Sequence, residues 1–417
     1  MSRQTNLNRR AFLIGSAAIS GGVAFGFLTA WSRALAHGHD SSGATHALTP
    51  FVQIGVDGIT LITPRTDMGQ GISSTQAYLI AEELDVDPLK CHVSPGFPNP
   101  IYYNSAVADS LSPYPEYDHS DEAEQARLAG RESFRQAGMQ VTGGSTSIPD
   151  MYDRLRTTGA VARETLKLAA AQQFDVALAE LTTEDGHVVL PTGRRVTYES
   201  LAATAATLTP PNDVALRPPS EWRHLGKALT RTDIVAKSTG TQNYGIDAQA
   251  EGMLHATVRT HPAWGGEMLG FDASRAEKMP GVRKVVALEN GIGVIADRTW
   301  RAFKAMETIE FRWGEGTFPK SSAELWAALE NGVKPELLEG RLRNEGNVDA
   351  SLAKGGAGTL EAEYRVPYLA HAPLEPMNAM VRVGDDRVDI WTGTQIPGFV
   401  QAHVAGVTNT PADRVFV

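Results

Sequence analysis

A single cysteine, Cys91, is found among 417 residues. The chain therefore builds no disulfide framework, no CxxC zinc site and no iron–sulfur ligand set of its own. Any redox centre has to arrive as a bound cofactor or on another polypeptide. Positive charge is also scarce: 38 Lys and Arg face 48 Asp and Glu, a formal net charge of -10. That balance argues against general nucleic-acid binding, which needs a basic face. Missing too are a convincing Ser-His-Asp set, an HExxH zinc motif, a P-loop and the third glycine of a dinucleotide fingerprint. With 42% hydrophobic and 21% charged residues, the composition is that of a globular protein long enough for two or three domains.

The N-terminus reads as an address. Arg9-Arg10 is followed by Ala11-Phe12-Leu13, an apolar Gly/Ala-rich run from Ile14 to Trp31, and the small-residue site Ala34-Leu35-Ala36. This order fits a twin-arginine export signal at 1–36 and a periplasmic destination. The run of about 18 residues is near the length that spans a bilayer, so retention as a membrane anchor is the alternative. Removing Arg3, Arg9, Arg10 and Arg33 would take the formal charge from -10 to about -14. The twin-arginine route carries folded proteins, which favours a complex prosthetic group acquired before export. His37 and His39 follow the cleavage site and read as part of an exposed new N-terminus.

Local patterns give a coarse organisation. Phe51 to Pro64 alternates as a hairpin around Asp57-Gly58, and Thr75 to Leu84 reads as a helix. The stretch 94–115 is irregular, and 118–135 is an exposed helix or a loop. From Asp150 to Gln173 a helix places Met151, Leu155, Ala162, Leu166 and Ala169 roughly on one face. A small β unit occupies 184–201, and the Pro/Thr-rich 207–219 reads as a linker. Strands are expected at 252–259, 282–288, 291–296 and 309–313, with a helix at 299–308. A polar, weakly patterned 321–356 is followed by strands at 360–366, 379–383 and 388–392 and a helix from about 397 to 407. The mixture indicates an α+β fold.

Three segments carry candidate chemistry. In Met68-Gly69-Gln70-Gly71-Ile72-Ser73-Ser74, paired glycines let backbone approach a ligand and Gln70 both donates and accepts hydrogen bonds. Ser73 or Ser74 is placed to cap the helix that follows, whose N-terminus attracts anions. The competing reading is a loop that simply needs positive φ. Gly143-Gly144-Ser145-Thr146-Ser147 repeats the arrangement before the next long helix, with capping-box-like spacing from Ser147 to Asp150 and Pro149 early in the helix. An ordinary capped helix explains it equally well. The third segment, Tyr368 to Asn378, puts His371 and Glu375 in a Pro-bounded loop between strands, where a carboxylate could orient a polar substrate or be merely solvated.

These segments, in this order, resemble the molybdenum-binding large subunits of the isoquinoline 1-oxidoreductase and membrane-associated aldehyde dehydrogenase branch of the xanthine oxidase family. Ala81-Glu82-Glu83-Leu84-Asp85-Val86-Asp87, Gly252-Met253-Leu254-His255-Ala256 and Trp391-Thr392-Gly393-Thr394-Gln395 support the likeness. It implies the N-terminal part of a molybdopterin-binding large subunit: a first cofactor-binding part at 37–206, a linker at 207–225, an inserted smaller α+β (hammerhead-like) domain at 226–320, and the start of a second cofactor-binding portion at 321–417. It implies that Gly69, Gln70, Gly71, Gly143, Gly144, Ser145, Thr146 and Ser147 hold a molybdopterin cytosine dinucleotide, and that Glu375 lies in the substrate pocket.

The implied reaction is water-derived hydroxylation of aldehydes or N-heterocycles. Electrons would leave through a small [2Fe–2S] subunit and, in exported systems, a cytochrome c. The metal is carried by the pterin dithiolene, so one cysteine is no obstacle. The chain departs from the family in two ways. The Gly-Gly-Gly-Phe-Gly loop and the Gly-Glu-Pro-type segment with the catalytic base do not occur in these 417 residues. No catalytic residue is therefore expected here, and a further polypeptide or continuation is expected to supply that half. Ahead of Glu375, Leu369, Ala370 and His371 stand where xanthine oxidase has a glutamine near the metal. The alternative is a non-catalytic exported fragment or binding protein that retains the front-half fold.

Overall fold

The computed structural model describes residues 45–263, 265–337, 345–356 and 358–417. The export signal expected at 1–36, with His37 and His39, lies outside the described residues. The chain divides into two compact units. One runs up to Asp247 and resumes as His371–Val417; the other is Ala248–Ala370. The resemblance implies bounds at 206, 225 and 320; the compact units part after 247 and after 370.

The first unit begins with β1 (His46–Thr49), β2 (Val52–Gly55) and β3 (Gly58–Ile62), an antiparallel meander. Gly55 pairs with Gly58, which confines the turn to Val56-Asp57 and places Gly58 at φ +113°. After α1 (Ile72–Leu84), β4 (His92–Ser94) joins β3 in parallel. Nearly every residue of α1 from Gln76 onward is buried, so this helix runs through the interior. The stretch 94–115 forms only short 3-10 turns, and α2 (Asp121–Gln136) follows. Helix α2 is capped by Ser120, whose side chain accepts from Ala123 N, and Asp121, Glu122 and Glu124 suit its positive end.

The long helix α3 (Ser147–Phe174) buries Met151, Leu155, Ala162, Leu166 and Ala169 completely, the face its periodicity predicts. It crosses α1 closely: a Cβ on Gly159 would lie 2.3 Å from Ile80 O, so only glycine fits there. A three-stranded meander of β5 (Thr182–Glu184), β6 (His187–Val189) and β7 (Arg195–Thr197) leads into α4 (Tyr198–Ala205).

The Pro/Thr-rich stretch expected to be a linker is not a free tether. From about residue 215 the chain lies back along α1 as a strap, held by the acids of Ala81 to Asp87. The buried Glu82 carboxylate accepts from three successive amides, Arg223 N (2.8 Å), His224 N (2.7 Å) and Leu225 N (3.1 Å). Glu83 takes Arg156 (2.7 Å) and Arg217 N (3.0 Å), while Asp85 takes Arg217 (2.8 Å) and Arg223. Farther along, Tyr78 Oη donates to Thr230 O at 3.0 Å, and Thr232 N donates to Ser74 Oγ at 3.0 Å. Later strap residues thus meet earlier helix residues, and the strap runs antiparallel to α1 before ending in α5 (Ile234–Thr239).

The second unit contains a sheet of order β10 (Val282–Leu288), β11 (Gly291–Ala296), β8 (His255–Thr260), and a pair of β12 (Glu310–Trp313) with β9 (Met268–Asp272). Helix α6 (Thr299–Met306) closes its core of Ile292, Val294, Ala302 and Ala305. Two helices, α7 (Ser322–Gly332) and α8 (Val348–Ala353), occupy the weakly patterned region and bury no residue. The strand expected at 360–366 is absent: no partner strand reaches it, and Leu360, Tyr364 and Val366 are exposed.

On its return the chain adds β13 (Ala379–Val383), β14 (Val388–Thr392), α9 (Pro397–Thr408) and β15 (Val415–Phe416) to the first unit, in a sheet of order β13-β14-β15. The fold is α+β, as the sequence indicates. Among the described residues no helix is long and apolar enough to cross a membrane.

Candidate functional site

Both glycine-rich segments sit where the sequence places them, at helix entrances, and they face one cavity. It measures about 450 Å³ and is lined by Met68, Gln70, Ile72 and Thr75 on one side, by Thr142 to Ser145, Ser147 and Ile148 on another, and by Gln395. That volume lies within the range of small-molecule and cofactor pockets. Gln70, Gly143, Gly144, Ser145 and Ser147 line it directly. Gly69 and Gly71 shape the loop beside it, and Thr146 is buried beneath it. Gln395 is a site residue the local patterns miss. Its string Trp391 to Gln395 supports the family resemblance, but the contact that brings it here is long-range.

Three backbone segments are stitched together around the cavity. Thr66 N donates to Thr142 Oγ1 (2.9 Å), Thr66 Oγ1 to Thr394 O (2.6 Å), and Thr142 exchanges bonds with Gln395 through Thr142 N to Gln395 O (2.9 Å) and Gln395 Nε2 to Thr142 O (2.8 Å). Below them Asn104 Nδ2 donates to Thr146 Oγ1 at 2.9 Å, which in turn donates to Gly143 O at 2.7 Å. A buried ion cluster forms around Asp150 in the first turn of α3. Arg65 reaches Asp150 (2.7 Å), Tyr102 O (2.7 Å) and Tyr103 O (2.8 Å), and Arg154 joins Asp150 at 2.9 Å. Burial brings the Arg65 guanidinium down to about 10 despite Asp150, so it remains charged at neutral pH.

The helix entrances differ from the expected caps. Ser73 and Ser74 lie inside the first turn of α1, whose N-cap is Gly71 at φ +88°. The capping is done from the loop: Asp67 accepts from Gly69 N (2.8 Å) and Ser73 N (3.1 Å). Ser147 opens α3, but no capping box forms because Asp150 is committed to Arg65, Arg154 and the Ser105 amide and hydroxyl. The N-cap, Thr146, makes no side-chain cap, and Gly144 and Ser145 both have positive φ. This entrance presents backbone and small polar groups to the cavity.

Gln70 folds back on its own loop, accepting from Met68 N (2.6 Å) and donating to Thr66 O (3.0 Å). Arg231 of the strap donates to Gly69 O at 2.7 Å. Its hydrogen bonds, with Lys237 assisting, hold Asp233 well below the usual carboxylate range. Glu375 is half-buried and not among the cavity-lining residues; it accepts from Asn378 Nδ2 (2.9 Å) and Ile246 N (3.1 Å). Burial pushes the Cys91 thiol up to about 12, so the lone cysteine is held as an unreactive thiol. Among the described residues, no group of three or more His, Cys, Asp or Glu could hold a metal ion.

Residues 330–417 match the family of molybdopterin cofactor-binding domains. The chain is 26% identical to the isoquinoline 1-oxidoreductase subunit beta of Brevundimonas diminuta, over 98% of this chain and 54% of that protein. It is likewise 26% identical to the membrane-bound aldehyde dehydrogenase (pyrroloquinoline-quinone) of Gluconacetobacter polyoxogenes, over 99% of this chain and 51% of the relative. A solved aldehyde oxidoreductase from Desulfovibrio gigas is similar over 82% of this chain and 36% of its own, with 17% identity and a TM-score of 0.35. The chain is thus similar to these two relatives over nearly its whole length, and its residues 330–417 match a molybdopterin cofactor-binding domain. It spans about half the length of the two curated relatives.

Proposed function

We propose that this chain supplies a wall of the cofactor site of a molybdenum hydroxylase acting on aldehydes or N-heterocycles. The observation that carries the proposal is the convergence of both glycine-rich helix entrances and Gln395 on one cavity of about 450 Å³. Gly143 tests whether the residues fit such a group. Its backbone has no positive φ, and a Cβ there would meet nothing within 4 Å. The protein's own packing does not require glycine at this position, whereas a flat ligand brought against the backbone would. A group that carries its own metal on a dithiolene needs hydrogen-bonding partners from the protein, and backbone groups and small hydroxyls are what this wall presents.

In this proposal Gln70, Gly143 to Ser147 and Gln395 hold the pterin and a cytosine nucleotide extension. The group, when bound, supplies oxygen transfer from water to substrate carbon with two-electron redox. The chain's own residues bind and orient it: Asp67 and Asp150 fix the two entrances, and Gln395 ties the third segment across. Glu375, bonded to Asn378 and Ile246, borders the substrate path. Electrons pass to a small [2Fe–2S] subunit and onward to a cytochrome c, and residues 1–36 direct export to the periplasm by the twin-arginine route.

Purification of the full chain from a molybdenum-cofactor-competent host tests the reading. Iodine oxidation should release a fluorescent pterin, and hydrolysis should release cytidine monophosphate, each near one per chain. A well-folded chain that yields neither, with or without a copurifying partner, points instead to a non-catalytic binding protein.

A further inference from the structure

Arg231 reaches the glycine loop from far along the sequence. Its guanidinium is clamped on one edge by Asp233, through Nε to Oδ1 at 2.9 Å and Nη2 to Oδ2 at 2.8 Å. From that fixed position Nη1 donates to Gly69 O at 2.7 Å, and Nη2 lies 3.4 Å from Asp67 Oδ1. Asp67 meanwhile accepts from Gly69 N at 2.8 Å. Gly69, at φ +102°, is therefore held at both of its polar groups, its N–H by Asp67 and its carbonyl by Arg231.

A trans peptide points its C=O and its N–H in opposite directions. Fixing the Gly69 carbonyl on Arg231 thereby fixes the next amide, Gln70 N–H, away from the strap. Gln70 is one of the residues that line the cavity. A single unrestrained glycine peptide could flip at little steric cost; here the strap removes that freedom.

We infer that Arg231 is a positioning residue: it sets the Gly69–Gln70 peptide, and through it the face that the glycine loop presents to a pterin. The inference rests on the cavity being a pterin site only for its binding arm; the restraint on the loop stands by itself. The strap's other bonds along α1, at Thr232, Thr230 and the amides of 223–225, keep Arg231 in register with the loop.

Hydrogen exchange and binding of 6-carboxypterin, followed by its fluorescence on the full chain, test this. In Arg231→Gln, amides of 66–73 should exchange about ten times faster, as expected for loss of charge-assisted hydrogen bonds, while 76–84 keep wild-type protection. Pterin binding should weaken by about tenfold, and Arg231→Lys, with charge but no planar two-edged fork, should recover only part of it. Asp233→Asn, which leaves Arg231 in place but loosens its clamp, should act in the same direction and less strongly. Unchanged exchange at 66–73, or equal acceleration along all of α1, overturns the inference. Wild-type chain that ignores 6-carboxypterin while Arg231→Gln still loosens only the loop counts against the pterin reading and leaves the positioning role standing. Measurable pterin binding that is equal in wild type and Arg231→Gln refutes the positioning role alone.

Discussion

At the C-terminal end of α1, three buried carboxylates each meet guanidinium groups, backbone amides or both. At its N-terminal end, Met68, Gly69 and Gln70 are exposed, and the loop lines an open cavity. One end of the helix buries its polar groups against partners from the same chain; the other makes its hydrogen bonds within an exposed loop that borders the cavity. The difference separates two kinds of charged or polar motif that look alike in sequence. Glu82, Glu83 and Asp85 could pass for acid–base or metal-binding residues, yet they fasten the strap. The glycine loop, poor in charge, borders the site.

The largest effect is expected at the fastened end. Glu83→Gln leaves the Arg156 and Arg163 guanidiniums facing a neutral amide. Breaking such a buried ion set should cost about 3–5 kcal/mol in urea unfolding, with pterin binding per folded molecule unchanged. A wild-type unfolding midpoint would erase the distinction between the two ends.

Acid should release the strap next. Burial by itself raises the Glu82 carboxyl, but the amides of 223–225 outweigh it and hold the group below its ordinary value. A carboxyl so depressed contributes stability that is fully present above its unfolded value of about 4.3 and is lost as pH falls through the lower folded value. Trp222, whose Nε1 donates to Arg217 O, reports the step by fluorescence. Glu82→Gln should abolish it and cost about 1–3 kcal/mol at neutral pH. An unchanged acid transition in this variant would assign the step elsewhere.

The smallest effects on stability belong to the cavity. Gly69→Ala, at φ +102°, should cost about 1–2 kcal/mol. Gly143→Ala, with no positive φ and open space ahead of its Cβ, should lie within about 1 kcal/mol of wild type, on the stable side. It should nonetheless weaken 6-carboxypterin binding more than any change at Glu82 or Glu83. Gly143→Ala binding with wild-type affinity would mean that no ligand approaches that backbone.

What could be read from the sequence follows the range of the interactions involved. The α3 face from Met151 to Ala169 and the two glycine entrances are local patterns, and they appear where expected. The caps differ from the local pattern because Asp67 and Asp150 choose partners through folding: Asp67 reaches forward over its own loop, and Asp150 turns to Arg65. Leu360 to Val366 alternates like a strand but finds no neighbour to pair with. The strap reads as a linker because proline and threonine dominate its start, while the acids that hold it lie more than a hundred residues earlier. Gln395 is invisible to local reasoning for the same reason.

The first unit is discontinuous, and Glu375 marks the seam: its carboxylate accepts from Ile246 N, so the chain leaves the unit and rejoins it at neighbouring points. This imposes an order on biogenesis. Both glycine entrances emerge from the ribosome before the second unit is made, but Gln395 emerges only after it. At roughly 5–20 residues per second, the cavity stays open on that side for on the order of ten seconds or longer. A bulky group loaded during synthesis would meet two finished walls and an unbuilt third, which the returning chain then adds at Gln395.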